Sequence, residues 1–161
     1  IITRMLEGFQ EHWRKDWDKV LTERHMSILK AVTLASIVER EAVVDKERPL
    51  ISGVFYNRLK KHMLLQADST VQYALGGEQK ERLFYKDLEV DSPYNTYKYT
   101  DLPPGPIGNP GMASLEAVIN PAKTDYYFFV TKKDGSQEHY FAKTYEDHQK
   151  NIALSNAQAK K

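Results

Sequence analysis

The chain has 161 residues and a formal net charge of +1, with 41% apolar and 28% charged residues, the balance of one globular domain able to bury its own core. It contains no cysteine, which excludes disulfides, thiolate metal sites and cysteine nucleophiles and fits an oxidising compartment. The near-neutral charge lacks the basic stripe of a nucleic-acid binder, and no apolar run is long enough to insert this fragment into a membrane.

The first residue is Ile1, not Met, and no leader is visible, so the chain is expected to be a piece of a longer one. Met5, Phe9, Trp13, Trp17 and Val20 recur at spacings of three and four, which predicts one amphipathic helix over residues 1 to 20. Thr22 or Ser27 is placed to cap a second helix through Ile28, Val32, Ala35 and Val38, buried on most sides. Pro49 suits the first turn of a third helix, Leu50 to Lys60. "MLLQ" then reads as a short extended piece. Asp68 or Ser69 is expected to cap a brief helix, Thr70 to Leu75, ended by Gly76-Gly77.

From Asp91 to Ala113 the chain holds most of its prolines, so no regular element is expected there. Loops of this length in compact domains tend to be functional or disordered, and Tyr94, Tyr97, Tyr99, Leu102 and Ile107 argue for order. Ser114 is expected to cap a helix with Leu115, Val118 and Ile119 on its apolar side. "YYFFVTKKDGSQEHYFAKT" places two aromatic runs around Asp134-Gly135, a pair favoured in tight hairpin turns. Thr144 with Asp147 starts a last helix, whose "SNAQAKK" tail is expected to fray. The fold class is α+β: a helical N-terminal half, a long Pro/Tyr-rich loop, a late β-hairpin and a C-terminal helix.

The chemistry centres on "LASIVEREA", where an apolar helix ends in Glu39 and Glu41. Positions two apart on a helix point about 200° away from each other, so the two cannot act as a pair on one face. Both continue apolar stripes, and periodicity does not choose between them. A carboxyl against apolar walls resists ionisation and can serve as a proton donor. The plain alternative is that the helix surfaces here and both glutamates are solvated, as most charged residues are. The five histidines show no paired metal-ligand spacing, and His139 and His148 are expected to hydrogen-bond locally. Ser36 and Ser52 lack a G-x-S-x-G elbow. Lys30 has no phosphate cradle to suggest a Schiff-base cofactor. The tyrosine-proline loop suits sugar stacking, a peptide surface or simple self-packing.

"LASIVEREA", "VFYNRLKKHMLLQADSTVQYALG", "YNTYKYTDLPPGPIGNPG", "NPAKTDYYFFV" and "HYFAKTYEDH" occur in an order and spacing that resembles the MltG (YceG-like) endolytic murein transglycosylase family. The resemblance runs from about Leu34 to His148. It implies an enzyme that cleaves peptidoglycan strands internally, between N-acetylmuramic acid and N-acetylglucosamine, leaving a 1,6-anhydromuramyl end. It carries the catalytic role of the second glutamate of an E-K-E motif onto Glu41, with Arg40 in the middle position. It suggests substrate contacts from Gln66, Asp68 and the Tyr94, Asn95, Thr96 stretch, and it requires no metal or cofactor. In this chemistry the sugar's own C6 hydroxyl attacks C1, so one glutamate serves as acid and then base, where hydrolytic glycosidases need two carboxylates.

Residues 1–26 are expected to form a helical segment leading into the catalytic domain, 27–161. The resemblance also implies action at the extracytoplasmic face of the bacterial cell membrane, in a parent with a single-pass anchor, with peptidoglycan strands as substrate and cell-wall synthases as partners. The rivals are a hydrolytic muramidase using Asp68 as second carboxylate, a non-catalytic peptidoglycan-binding module, and a pyridoxal-dependent lyase.

Overall fold

The structure is a computed structural model and describes residues 1–159. Seven helices and one hairpin are seen among them: α1 (Ile2–His12), α2 (Lys15–Glu23), α3 (Ile28–Glu41), α4 (Arg48–Lys60), α5 (Asp68–Leu75), α6 (Met112–Ile119), β1 (Phe128–Thr131), β2 (His139–Ala142) and α7 (Tyr145–Ala159). This is the α+β arrangement expected, with α3 at its centre. No helix among the described residues is long and apolar enough to cross a membrane.

Ser27 caps α3 by accepting the Lys30 N–H at 3.1 Å, and α3 buries every side chain from Thr33 to Val38. Pro49 sits in the first turn of α4, where its missing N–H costs nothing. Leu34, Ile37 and Val38 of α3 meet Ile51 and Phe55 of α4 and Val118 of α6 in one cluster. Each fully buried aliphatic or aromatic side chain stabilises the fold by about 1.5–3 kcal/mol. Gly53 lets α4 approach the segment after α6: a Cβ there would stand 2.5 Å from the Ala122 carbonyl oxygen.

The hairpin is antiparallel, pairing Phe128 with Ala142 and Thr131 with His139. Phe129 and Phe141 point inward, and Phe129 meets Phe55 edge-on with ring centroids 5.8 Å apart. Residues 132 to 138 make a longer turn than the tight one expected. Gly135 takes a left-handed φ of 84° inside it, and the Lys132 N–H donates to the Glu138 carbonyl across its base. Thr144 caps α7 as expected, its Oγ1 accepting the Asp147 N–H at 3.2 Å. The "SNAQA" tail is still helical, because buried Ser155 donates to the Thr131 carbonyl at 2.6 Å; the final two residues lie outside the described ones.

Three other expectations change. The N-terminal helix is two helices, because Trp13 and Arg14 are extended between them. α1 buries no residue, whereas α2 buries Trp17 and Leu21 in the core, so the two stripes answer to different surroundings. Trp13 closes the break by donating Nε1–H to Asp18 and by meeting Trp17 edge-on. Neither Asp68 nor Ser69 caps α5, whose N-cap is Ala67, and Gln66 before it adopts a left-handed φ of 51° rather than an extended one. Ser114 lies inside α6, whose N-cap is Gly111. The side chains that would cap locally are engaged elsewhere: Ser69 and Ser114 bond the glutamates of α3, and Asp68 bonds Tyr97.

The Asp91–Gly111 stretch has no helix or strand, as its prolines dictate. It is pinned rather than loose. The Ile107 N–H donates to Ser36 Oγ at 3.0 Å and the Gly111 N–H to Glu39 Oε2 at 3.2 Å.

Candidate active site

Glu41 is the last residue of α3, where the buried helix reaches the surface. Its side chain is half-buried, with protein on nearly every side and one opening to a groove. Oε1 accepts the Ser69 hydroxyl at 2.6 Å and the Ser69 backbone N–H at 3.1 Å. That N–H is one of the orphan donors in the first turn of α5, so Glu41 performs from a distance the capping that Ala67 cannot. Burial pushes the Glu41 pKa above the usual carboxylate range. The two Ser69 hydrogen bonds oppose the shift, and the Asp68 charge adds to it. Burial wins, and the net direction is up.

Glu39, on the opposite face of the same helix, does different work. Its Oε2 accepts from Ser114 Oγ, from the Gly111 N–H and from Arg48 Nη1 at 3.4 Å. Arg48 is buried and also donates to Ser114 at 2.9 Å. Glu39 therefore ties α3 to the start of α6 and the end of the proline-rich loop. Neither glutamate is the freely solvated residue of the plain alternative.

The groove has two arms that meet at Arg40, Glu41 and Asp68. One, of about 480 Å³, is walled by Gln66, Tyr97, the β1 residues Phe128 to Thr131, His139, Tyr145 and His148. The other, of about 350 Å³, is polar and includes Ser69, Gln72, Gln79 and Arg82. A larger cavity of about 920 Å³ lies between α2, α4 and residues 121 to 125, and none of Glu41, Gln66, Asp68 or Tyr97 lines it. The site is assigned by its chemistry, not by size. No group of three or more His, Asp or Glu side chains able to hold a metal ion occurs among the described residues.

The aromatic arm is built on Arg58. Its Nε donates to the Tyr127 carbonyl at 2.7 Å and its Nη1 to the Leu64 and Leu65 carbonyls at 3.0 and 3.2 Å. One buried guanidinium thus joins α4, the segment before α5 and the start of β1. It also lies over the Phe128 ring, which stacks on His148 with centroids 5.0 Å apart. Burial and the Arg58 charge hold the His148 pKa below the usual histidine value. Tyr97 donates its hydroxyl to Asp68 Oδ1 at 2.5 Å. Burial first, then Asp68 and Glu41, push the Tyr97 pKa well above that of a free tyrosine, so it remains a proton-bearing donor.

Of the residues named from sequence, Glu41, Gln66 and Asp68 line the groove together. Tyr94, Asn95 and Thr96 are not on its wall. Asn95 is fully buried, donating to the Leu88 and Val90 carbonyls and accepting the Tyr97 N–H. Buried Thr96 accepts the Ala67 N–H, exchanges a hydrogen bond with Thr70 and takes the Gln66 N–H on its carbonyl. Tyr94 packs against Tyr73, the rings tilted by 50° with centroids 4.7 Å apart. The stretch holds the groove from behind, and the next residue, half-buried Tyr97, reaches its wall. The left-handed Gln66 is kept in place by this scaffold, a strained backbone of the kind that collects at functional sites.

Sequence reasoning gave Ser69, Tyr97, His139 and His148 only structural roles and passed over Arg58 and Glu47. The local partners expected for the two histidines are not seen among the described residues: His139 bonds Glu47, 92 residues away, and His148 Nδ1 has no partner among them. Only the quoted motifs, which contain most of these residues, marked the neighbourhood.

The chain is similar to known proteins in sequence and in fold. The sequence model of the YceG-like family matches residues 1–154. The chain is 52% identical over 130 residues to a Bacillus subtilis (strain 168) protein named endolytic murein transglycosylase, covering 81% of this chain and 35% of that one. It is 36% identical over 137 residues to a protein of the same name from Streptococcus pneumoniae serotype 2 (strain D39 / NCTC 7466), covering 83% and 25%. The fold matches the 2.6 Å crystal structure of a yceG-like protein from Listeria monocytogenes with a TM-score of 0.76 and 51% identity, over 84% of this chain and 43% of that one. The chain thus spans about a third of the length of the Bacillus relative.

Proposed function

The chain belongs to the YceG-like family, and from that premise we propose that it is the catalytic domain of an endolytic murein transglycosylase. It cleaves the bond between N-acetylmuramic acid and N-acetylglucosamine within a peptidoglycan strand and leaves a 1,6-anhydromuramyl end. The observation that carries this reading is Glu41: a carboxyl with its pKa raised by burial, at the junction of two groove arms. A groove continuing past the acid on both sides suits a strand cut internally rather than from an end.

The environment of Glu41 suits both halves of the reaction. Burial keeps the proton on the carboxyl until a glycosidic oxygen arrives to take it. Once the carboxylate forms, the Ser69 hydroxyl and N–H already point at Oε1 and stabilise the charge. The same carboxylate then removes the proton from the C6 hydroxyl as that oxygen closes on C1. Attack by a group on the same sugar gains effective molarity over water, which lowers the barrier by several kcal/mol. Asp68, oriented by Tyr97, and Gln66 contact the sugar, while Tyr94, Asn95 and Thr96 position them. The domain acts outside the cytoplasmic membrane, on strands supplied by the synthases beside which its parent works.

The test is mass spectrometry of products from purified glycan strands. The wild type gives anhydro ends, Glu41→Gln lowers turnover by at least about 10²–10⁴-fold, and Glu39→Gln keeps most activity. Equal loss in both variants defeats the assignment of Glu41. Products heavier by one water establish hydrolysis, with Asp68 as the second carboxylate.

A further inference from the structure

His139 opens β2 on the wall of the arm that holds Glu41. Its backbone N–H donates to Glu47 Oε1 at 2.9 Å, and its Nδ1 bonds Glu47 Oε2 at 2.8 Å. Glu47 comes from the 3₁₀ turn Asp45–Glu47, just after the catalytic helix. Glu47 is 5% and His139 7% exposed, and His139 is the only residue that hydrogen-bonds the Glu47 carboxylate among the described residues. A carboxylate only accepts hydrogen bonds, so Nδ1 carries the proton of this contact. Nε2 has no protein partner among the described residues. It is not sealed from solvent either, and the residue lines the groove. Phe129 meets the ring edge-on at 5.3 Å and fixes its plane. The same arm of the groove is lined by Glu41 from α3, Arg58 from α4, Asp68 from α5, Tyr97 from the loop, and Tyr145 and His148 from α7. Lys46, Lys132 and Glu138 pair among themselves beside the strand.

We propose that His139 contacts substrate: its Nε2 lone pair accepts a hydrogen bond from a hydroxyl of the saccharide seated against Glu41. Glu47 is a positioning residue that fixes the tautomer able to do so. The inference rests on the reading of the groove as a glycan site. The rival is that the pair is only a staple joining the 3₁₀ turn to the hairpin.

Glu47→Gln separates the two. Gln keeps the size of Glu and can still accept the His139 N–H. Its amide N–H toward Nδ1 makes Nδ1 the acceptor and moves the ring proton to Nε2, which turns the acceptor facing the sugar into a donor. Trapping a functional imidazole in the wrong tautomer costs on the order of 10²–10⁴-fold in turnover with geometry preserved. The expected result is a loss of at least about ten-fold in kcat/KM on purified glycan strands, with a thermal midpoint close to the wild type. In the Glu41→Gln protein, which holds but does not cut substrate, the ¹⁵N resonance of His139 Nε2 is expected in its unprotonated position. It should move on titration with a tetrasaccharide of alternating N-acetylglucosamine and N-acetylmuramic acid. Glu47→Gln with wild-type kcat/KM, or an Nε2 resonance unmoved at saturating tetrasaccharide, overturns the inference while leaving the proposed function intact. If Glu47→Gln fails to fold, the ¹⁵N titration decides alone. A wild-type protein that neither cuts strands nor binds the tetrasaccharide sinks both.

Discussion

Asn95→Ala is expected to act on stability first and on activity only through it. The side chain is fully buried and makes three hydrogen bonds: Nδ2 to the Leu88 carbonyl and the Val90 carbonyl, both at 2.8 Å, and Oδ1 from the Tyr97 N–H at 3.0 Å. Alanine leaves one N–H and two carbonyls facing a small cavity. A buried donor left unpaired costs about 1–3 kcal/mol, and each carbonyl costs less because water or its second lone pair can compensate. The sum is roughly 2–4 kcal/mol. For a chain of this size each kcal/mol lowers the thermal midpoint by about 2–4 °C, so the midpoint should fall by roughly 5–15 °C. Urea unfolding monitored by tryptophan fluorescence, run beside glycan cleavage well below the midpoint, reads both quantities. A variant with unchanged stability and abolished cleavage would refute the reasoning, because it would make Asn95 a sugar contact after all.

Ser69→Ala removes one of the two hydrogen bonds that favour the Glu41 carboxylate, so the Glu41 pKa should rise further and the alkaline limb of the kcat/KM profile should move to higher pH; a limb that stays or moves down contradicts the site geometry. Glu41→Gln should be more stable than the wild type at neutral and alkaline pH. The native state holds its Glu41 proton more tightly than the unfolded chain does, so wild-type stability falls as pH rises from the ordinary carboxylate pKa through the raised one, and Gln escapes that loss. Urea midpoints compared at acid and alkaline pH check the sign, and a gap that closes toward alkaline pH would be wrong. Gly53→Ala should cost about 1–3 kcal/mol, since its Cβ would meet the Ala122 carbonyl oxygen at 2.5 Å; an unchanged urea midpoint would show that the segment after α6 can retreat.

The sequence by itself determined the elements whose causes are local. The apolar run of α3, the Ser27 and Thr144 caps, Pro49 in the first turn of α4 and the two aromatic runs of the hairpin all read correctly, because each rests on neighbours close in the chain. The helical period also settled that Glu39 and Glu41 face apart. Which of the two would meet a groove was beyond periodicity, since both continue apolar stripes. Only tertiary packing decided it, by bringing Ser114 and Gly111 to Glu39 and Ser69 to Glu41 from far along the chain. The same long-range pairing displaced the local caps expected at Ser69 and Ser114, and it joined Glu47 to His139. Such contacts are chosen by which buried polar groups lack a partner once the core has formed, and a linear pattern does not encode that competition.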